Sequence, residues 1–95
     1  MLTSKQRAGL RGRANNLPAI FQVGKSGVTP ELAAGLDEAL EARELIKVSV
    51  LQSCAEGPES VAETLAGRTR SEVVQVMGNK VTLYRKTKKN REAHV

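Results

Sequence analysis

Two β-favourable runs, Val73 to Met77 and Lys80 to Tyr84, are separated only by Gly78-Asn79. Two turn-forming residues between two such runs read as a hairpin, whose strands must pair antiparallel. Upstream of it, helical and strand-like segments alternate. An α-β-α-β-α order that closes on a hairpin suggests a mixed four-stranded sheet with helices packed on it, because each element has one apolar face to bury. The chain has 95 residues, 40% of them hydrophobic, enough for one core and therefore one domain.

The individual segments follow from local chemistry. Thr3 and Gln6 have the spacing of a capping box, so a first helix is expected from about Thr3 to Asn15. Leu10, Ala14 and Leu17 recur along it at near-helical spacing, and Arg7 and Arg11, four apart, share a face. Pro18 opens the alternating segment Ala19 to Val23, read as a strand with Phe21 in the core. Thr29 is a good N-cap and Pro30 suits the first helical position, which starts a second helix that ends near Arg43. Leu32, Leu36 and Leu40 line one side of it, while Asp37, Glu41 and Glu44 make another side acidic. Leu45 to Leu51 reads as a second strand, central in the sheet. Gly57-Pro58 opens a third helix with Val61, Ala62, Leu65 and Ala66 on one side, and Gly67 is placed to end it.

The inventory for catalysis is thin. His94 is the single histidine and the penultimate residue, where nothing packed would fix an imidazole. The one cysteine, Cys54, has acidic neighbours in Glu56 and Glu59, which favour an inert thiol. One cysteine rules out an internal disulfide framework and a zinc site of paired thiolates, and fits a reducing, cytoplasmic setting. No apolar run approaches the ~20 residues of a membrane-spanning helix. The expectation is a protein without catalysis, metal, cofactor or membrane.

Charge is segregated. Residues 1–30 carry five basic groups and no acid; residues 31–63 carry eight acids against Arg43 and Lys47; residues 64–95 carry eight basic groups against two acids. The net charge of +5 suggests an anionic partner. Gly24-Lys25-Ser26-Gly27 lies between a strand and a helix start, where backbone N–H groups and the helix dipole attract anions. An ordinary turn that needs glycine for its backbone angles fits the same four residues. The pattern matches neither dinucleotide nor Walker fingerprints, but a G-x-x-G loop clamps the nucleic-acid backbone in KH modules. With a single Phe and a single Tyr, base stacking contributes little. The expected target is the backbone and shape of structured RNA.

Four separate stretches then resemble the CRM domain, and in particular the free-standing bacterial YhbY family. They are Gly24-Lys25-Ser26-Gly27-Val28-Thr29, Glu44-Leu45-Ile46-Lys47-Val48, Val74-Gln75-Val76-Met77-Gly78 and Leu83-Tyr84-Arg85. The resemblance runs from about Leu2 to Lys86. It implies an α-β-α-β-α-β-β fold like the C-terminal domain of translation initiation factor three. It also implies RNA binding, association with pre-ribosomal particles that carry the large-subunit rRNA precursor, and a role in ribosome assembly. Mapped onto this chain, the RNA contacts are Gly24, Lys25, Ser26 and Gly27 in the loop and Lys5, Arg7, Arg11 and Arg13 on the first helix. Arg85 and Lys86 follow at the end, Arg85 being equally suited to packing or a salt bridge. Residues 1–86 then form the domain, and residues 87–95 a mobile basic tail. A competing reading makes the acidic face of the second helix the docking site for a basic partner such as a ribosomal protein.

Overall fold

A computed structural model describes residues 3–86. Its elements are α1 (Ser4–Ala14), β1 (Phe21–Val23), α2 (Pro30–Arg43), β2 (Leu45–Val50), α3 (Pro58–Thr69), β3 (Glu72–Met77) and β4 (Lys80–Tyr84). The four strands form one sheet in the order β1-β2-β4-β3. β1 pairs parallel with β2, and β4 pairs antiparallel with both β2 and β3. Three strands therefore run the same way, and the hairpin return inserts β4 between the second and the third. The crossovers through α2 and α3 step across the sheet in one direction. Crossovers of one hand that step the same way lay both helices on the same face.

That face holds the main core. Ile46, Val48 and Val50 alternate along β2 and meet Leu36 and Leu40 of α2, Val61 and Leu65 of α3, and Val81 and Leu83 of β4. The ring of Phe21 lies half-buried against this core, over Gly35 of α2. A Cβ on Gly35 would stand 3.1 Å from Phe21 Cε1, so the glycine allows the close approach. On the opposite face, α1 buries Leu10 and Ala14 against Leu45, Val74 and Tyr84. A bulge in β3 between Val73 and Gln75 supplies Val74 as an extra residue. Val73 and Val76 join the main core, while Val74 is buried beneath α1.

The expected caps are present. Thr3 and Gln6 close a capping box, and the Thr29 hydroxyl accepts the Leu32 N–H at 3.1 Å ahead of Pro30. Two expectations are corrected. Gly67 does not end α3; the helix continues to Thr69 and is capped by Arg70 in the left-handed region at φ 56°. Thr69 is buried, its hydroxyl donates to the Leu65 carbonyl at 2.7 Å and accepts from the Ser71 hydroxyl at 2.8 Å, and the Ser71 N–H reaches back to the Ala66 carbonyl. Burying that last turn outweighs the local stop signal. The first strand is also shorter than Ala19 to Val23. Only the Ile20 N–H reaches β2, through the Lys47 carbonyl at 3.0 Å, before regular pairing begins at Phe21. The tail expected at residues 87–95, with His94, lies outside the described residues.

Candidate nucleic-acid interface

Gly24 to Gly27 form a tight turn at the C-terminal end of β1, closed by a Gly27 N–H to Gly24 carbonyl bond of 2.9 Å. The two glycines differ in what the fold asks of them. Gly27 sits at φ +66°, where a side chain is strained. A Cβ on Gly24 would make only ordinary contacts, 3.5 Å from Ser53 Oγ and 3.6 Å from Leu51 Cδ1. Turn geometry explains Gly27 and leaves Gly24 unexplained. A glycine the fold does not need leaves the backbone open to close approach by a ligand.

The loop is not itself the start of α2. Val28 and Thr29 intervene, the Thr29 hydroxyl occupies the Leu32 N–H, Pro30 has none to offer, and Glu31 places a carboxylate in the first turn. The expected attraction of the helix dipole is therefore largely cancelled, and side chains must supply the positive charge. Lys25, Ser26 and Gly27 form one wall of an open groove of about 380 Å³. Cys54 and Glu56, between β2 and α3, and Thr64 and Arg68, on α3, also line it. Arg68 was not anticipated as a partner of Lys25. Its one local signal is a position four residues after Thr64, off the apolar side of α3. Glu56 partly offsets the two cations.

The basic residues of α1 lie elsewhere. The helix covers the face opposite α3 and docks over Leu45 and Tyr84, at the far end of the sheet from the loop. From Leu45 to Val50, β2 spans roughly 17 Å at ~3.3 Å per residue. The loop and α1 are therefore diagonal to one another and do not form a single adjoining patch. Lys5, Arg11 and Arg13 are exposed and Arg7 is half-buried. Arg13 borders a second groove with Leu17, Arg43 and Leu45, so Arg43 joins this basic end although its own segment reads as acidic. Lys86 is exposed just beyond β4, at the same end of the sheet.

Arg85 leaves the candidate set. Its Nη1 donates to Asp37 Oδ1 at 2.5 Å and to the Thr69 carbonyl at 2.7 Å; its Nη2 donates to the Asp37 carbonyl at 2.9 Å and to Glu41 Oε1 at 3.4 Å. The Arg85 N–H also donates to the Glu44 carbonyl at 2.9 Å. This guanidinium ties α2 to the end of α3, and only 15% of the side chain is exposed. The same bonds engage Asp37 and Glu41, which weakens the reading of α2 as a free acidic docking face. Among the described residues, no group of three or more His, Cys, Asp or Glu could hold a metal ion, and no helix is long and apolar enough to cross a membrane.

The CRS1 / YhbY (CRM) domain matches residues 2–85, nearly the whole chain. The chain belongs to the CRM domain family. The Bacillus subtilis protein named Probable RNA-binding protein YqeI is 52% identical over 92 residues, which cover 97% of this chain and 96% of that protein. A Haemophilus influenzae protein named RNA-binding protein is 32% identical over 84 residues, 88% of this chain and 85% of that one. The solution structure of the hypothetical protein SAV1595 from Staphylococcus aureus superposes with a TM-score of 0.81 at 48% identity, over 97% of this chain and 96% of that one. The single compact α+β domain with three helices and a four-stranded mixed sheet is thus the CRM fold. The names of these relatives speak of RNA binding and of no catalysed reaction.

Proposed function

We propose that this CRM domain is a non-catalytic RNA-binding protein of the cytoplasm. It holds structured rRNA by its backbone, through the Gly24 to Gly27 loop and basic α1, during assembly of the large ribosomal subunit. The observation that carries the reading is the groove in which Lys25 faces Arg68 beside Gly24, a glycine that the fold does not require. Backbone N–H groups and two cations in an open groove suit a phosphate. The relatives named as RNA-binding proteins and the basic α1 support the same partner.

Fluorescence anisotropy with a labelled, folded fragment of large-subunit rRNA tests it across a salt series. Contact with about four to six phosphates gives a slope of log K against log salt of roughly −3 to −5. Lys25→Glu combined with Arg68→Glu should weaken binding at least about tenfold and flatten the slope by about two, with thermal stability unchanged. Binding that the variant leaves intact, or that an unstructured oligonucleotide competes away equally, overturns the loop assignment. Co-sedimentation with large-subunit precursors, set against mature subunits, tests the assembly role.

A further inference from the structure

The face of the sheet that carries α1 is only partly covered by it. Because Ile46, Val48 and Val50 point into the main core, Leu45, Lys47 and Ser49 point the other way. The same alternation places Gln22 of β1, Lys80, Thr82 and Tyr84 of β4, and Gln75 and Met77 of β3 on that opposite face. The register arranges these residues in three rows across the strands: Leu45-Tyr84-Glu72, then Lys47-Thr82-Gln75, then Gln22-Ser49-Lys80-Met77. Leu45 and Tyr84 of the first row lie beneath α1. The second and third rows contain no acid.

The chemistry of those two rows is that of an anion-binding surface. Ser49 and Thr82 are buried and form its floor, while Gln22 and Met77 are exposed, Met77 to 59%. Lys80 Nζ donates to Ser49 Oγ at 3.0 Å, a neutral partner that orients the ammonium without cancelling its charge. Lys47 stands in the next row. Among the described residues, neither lysine is paired with a carboxylate. The orientation of α1 adds to this. Gln6, Gly9 and Arg13 border the groove that ends on Tyr84, at the outer end of the sheet. At 100° per residue, Arg7 and Arg11 lie on the other flank of the helix, toward the two open rows.

We infer that these two rows are a second RNA surface, with Lys47 and Lys80 contacting backbone phosphates alongside Arg7 and Arg11. The inference rests on the RNA-binding reading above and extends it to residues outside the loop. The third row begins at Gln22, two residues before Gly24, so the surface runs from α1 across the sheet to the base of the loop. It thereby joins the two basic regions that the fold sets diagonally apart.

The test uses the same rRNA fragment and salt series with Lys47→Gln and Lys80→Gln combined. Loss of two phosphate contacts should flatten the salt slope by about 1.4 to 1.8 units. Lys47→Arg with Lys80→Arg should restore it, and all variants should melt like the wild type. If wild type binds, the Lys25/Arg68 variant weakens it and the lysine-to-glutamine pair changes nothing, the sheet surface is wrong and the loop reading stands. If only the lysine pair matters, the sheet surface stands and the loop reading falls. If wild type itself fails to bind RNA, both are overturned, and the face belongs to another class of partner.

Discussion

The groove beside the Gly24 to Gly27 loop and the clasp around Arg85 each bring a cation from a distant part of the chain to α3, Lys25 in one and Arg85 in the other, yet they end in opposite states. In the groove, Lys25 and Arg68 share one carboxylate neighbour, Glu56, and lie open to solvent. At the clasp, Arg85 is enclosed by Asp37, Glu41 and the Thr69 carbonyl. In sequence, Lys25 reads as a cation available to an anion, and Arg85 as one suited equally to an anion or to a salt bridge. Whether a cation serves a ligand or the fold depends on what the tertiary structure places around it, and a count of basic residues does not carry that information.

The largest effect should come from the clasp. Arg85→Ala removes bonds to two backbone carbonyls and two carboxylates, at a cost of about 2–3 kcal/mol. For a domain of this size that lowers Tm by roughly 10 °C or more, while RNA affinity of the folded variant stays at the wild-type value. Lost affinity at unchanged Tm would return Arg85 to the interface and break the contrast. For the same reason, reversing Asp37 and Glu41 to Lys unfolds the clasp before it probes a docking face.

The two loop glycines sharpen the comparison within a single turn. Gly27→Ala, at φ +66°, should cost about 1–2 kcal/mol in a urea titration. Gly24→Ala should stay within about 0.5 kcal/mol of wild type and yet weaken RNA binding several-fold. Equal stability losses at the two sites would mean that Gly24 serves the turn rather than a ligand.

The smallest effect is expected at Arg70, two residues beyond Arg68 and exposed at the end of α3. Its left-handed backbone favours glycine, so Arg70→Gly should gain about 0.5–1 kcal/mol, read as a rise in Tm. RNA affinity should not move. A clear loss of affinity would extend the groove past Arg68 and blur its boundary.

Much of the fold was legible because its signals are local. A capping box spans four residues, Thr29-Pro30 two, and the Gly78-Asn79 turn fixes its hairpin through two neighbouring runs. Local stop signals were less reliable. Gly67 reads as a helix end, but burial of Thr69 carries α3 onward to Arg70. Similarly, Val74-Gln75 gave no sign of the bulge that places both residues on the face of α1.

By itself, then, the amino-acid order determined the elements, the hairpin, the polar and apolar sides of each helix, the resemblance to the CRM domain and the excess of positive charge. These depend on interactions within a few residues or on composition. Only the tertiary structure decided that Arg68 faces Lys25, that Arg85 is enclosed, that α1 lies diagonally across the sheet from the loop, and that Lys47 and Lys80 share its open rows. Those pairings join residues far apart in the chain. They follow from strand order and crossover direction, which bring surfaces together without any mark in the local sequence.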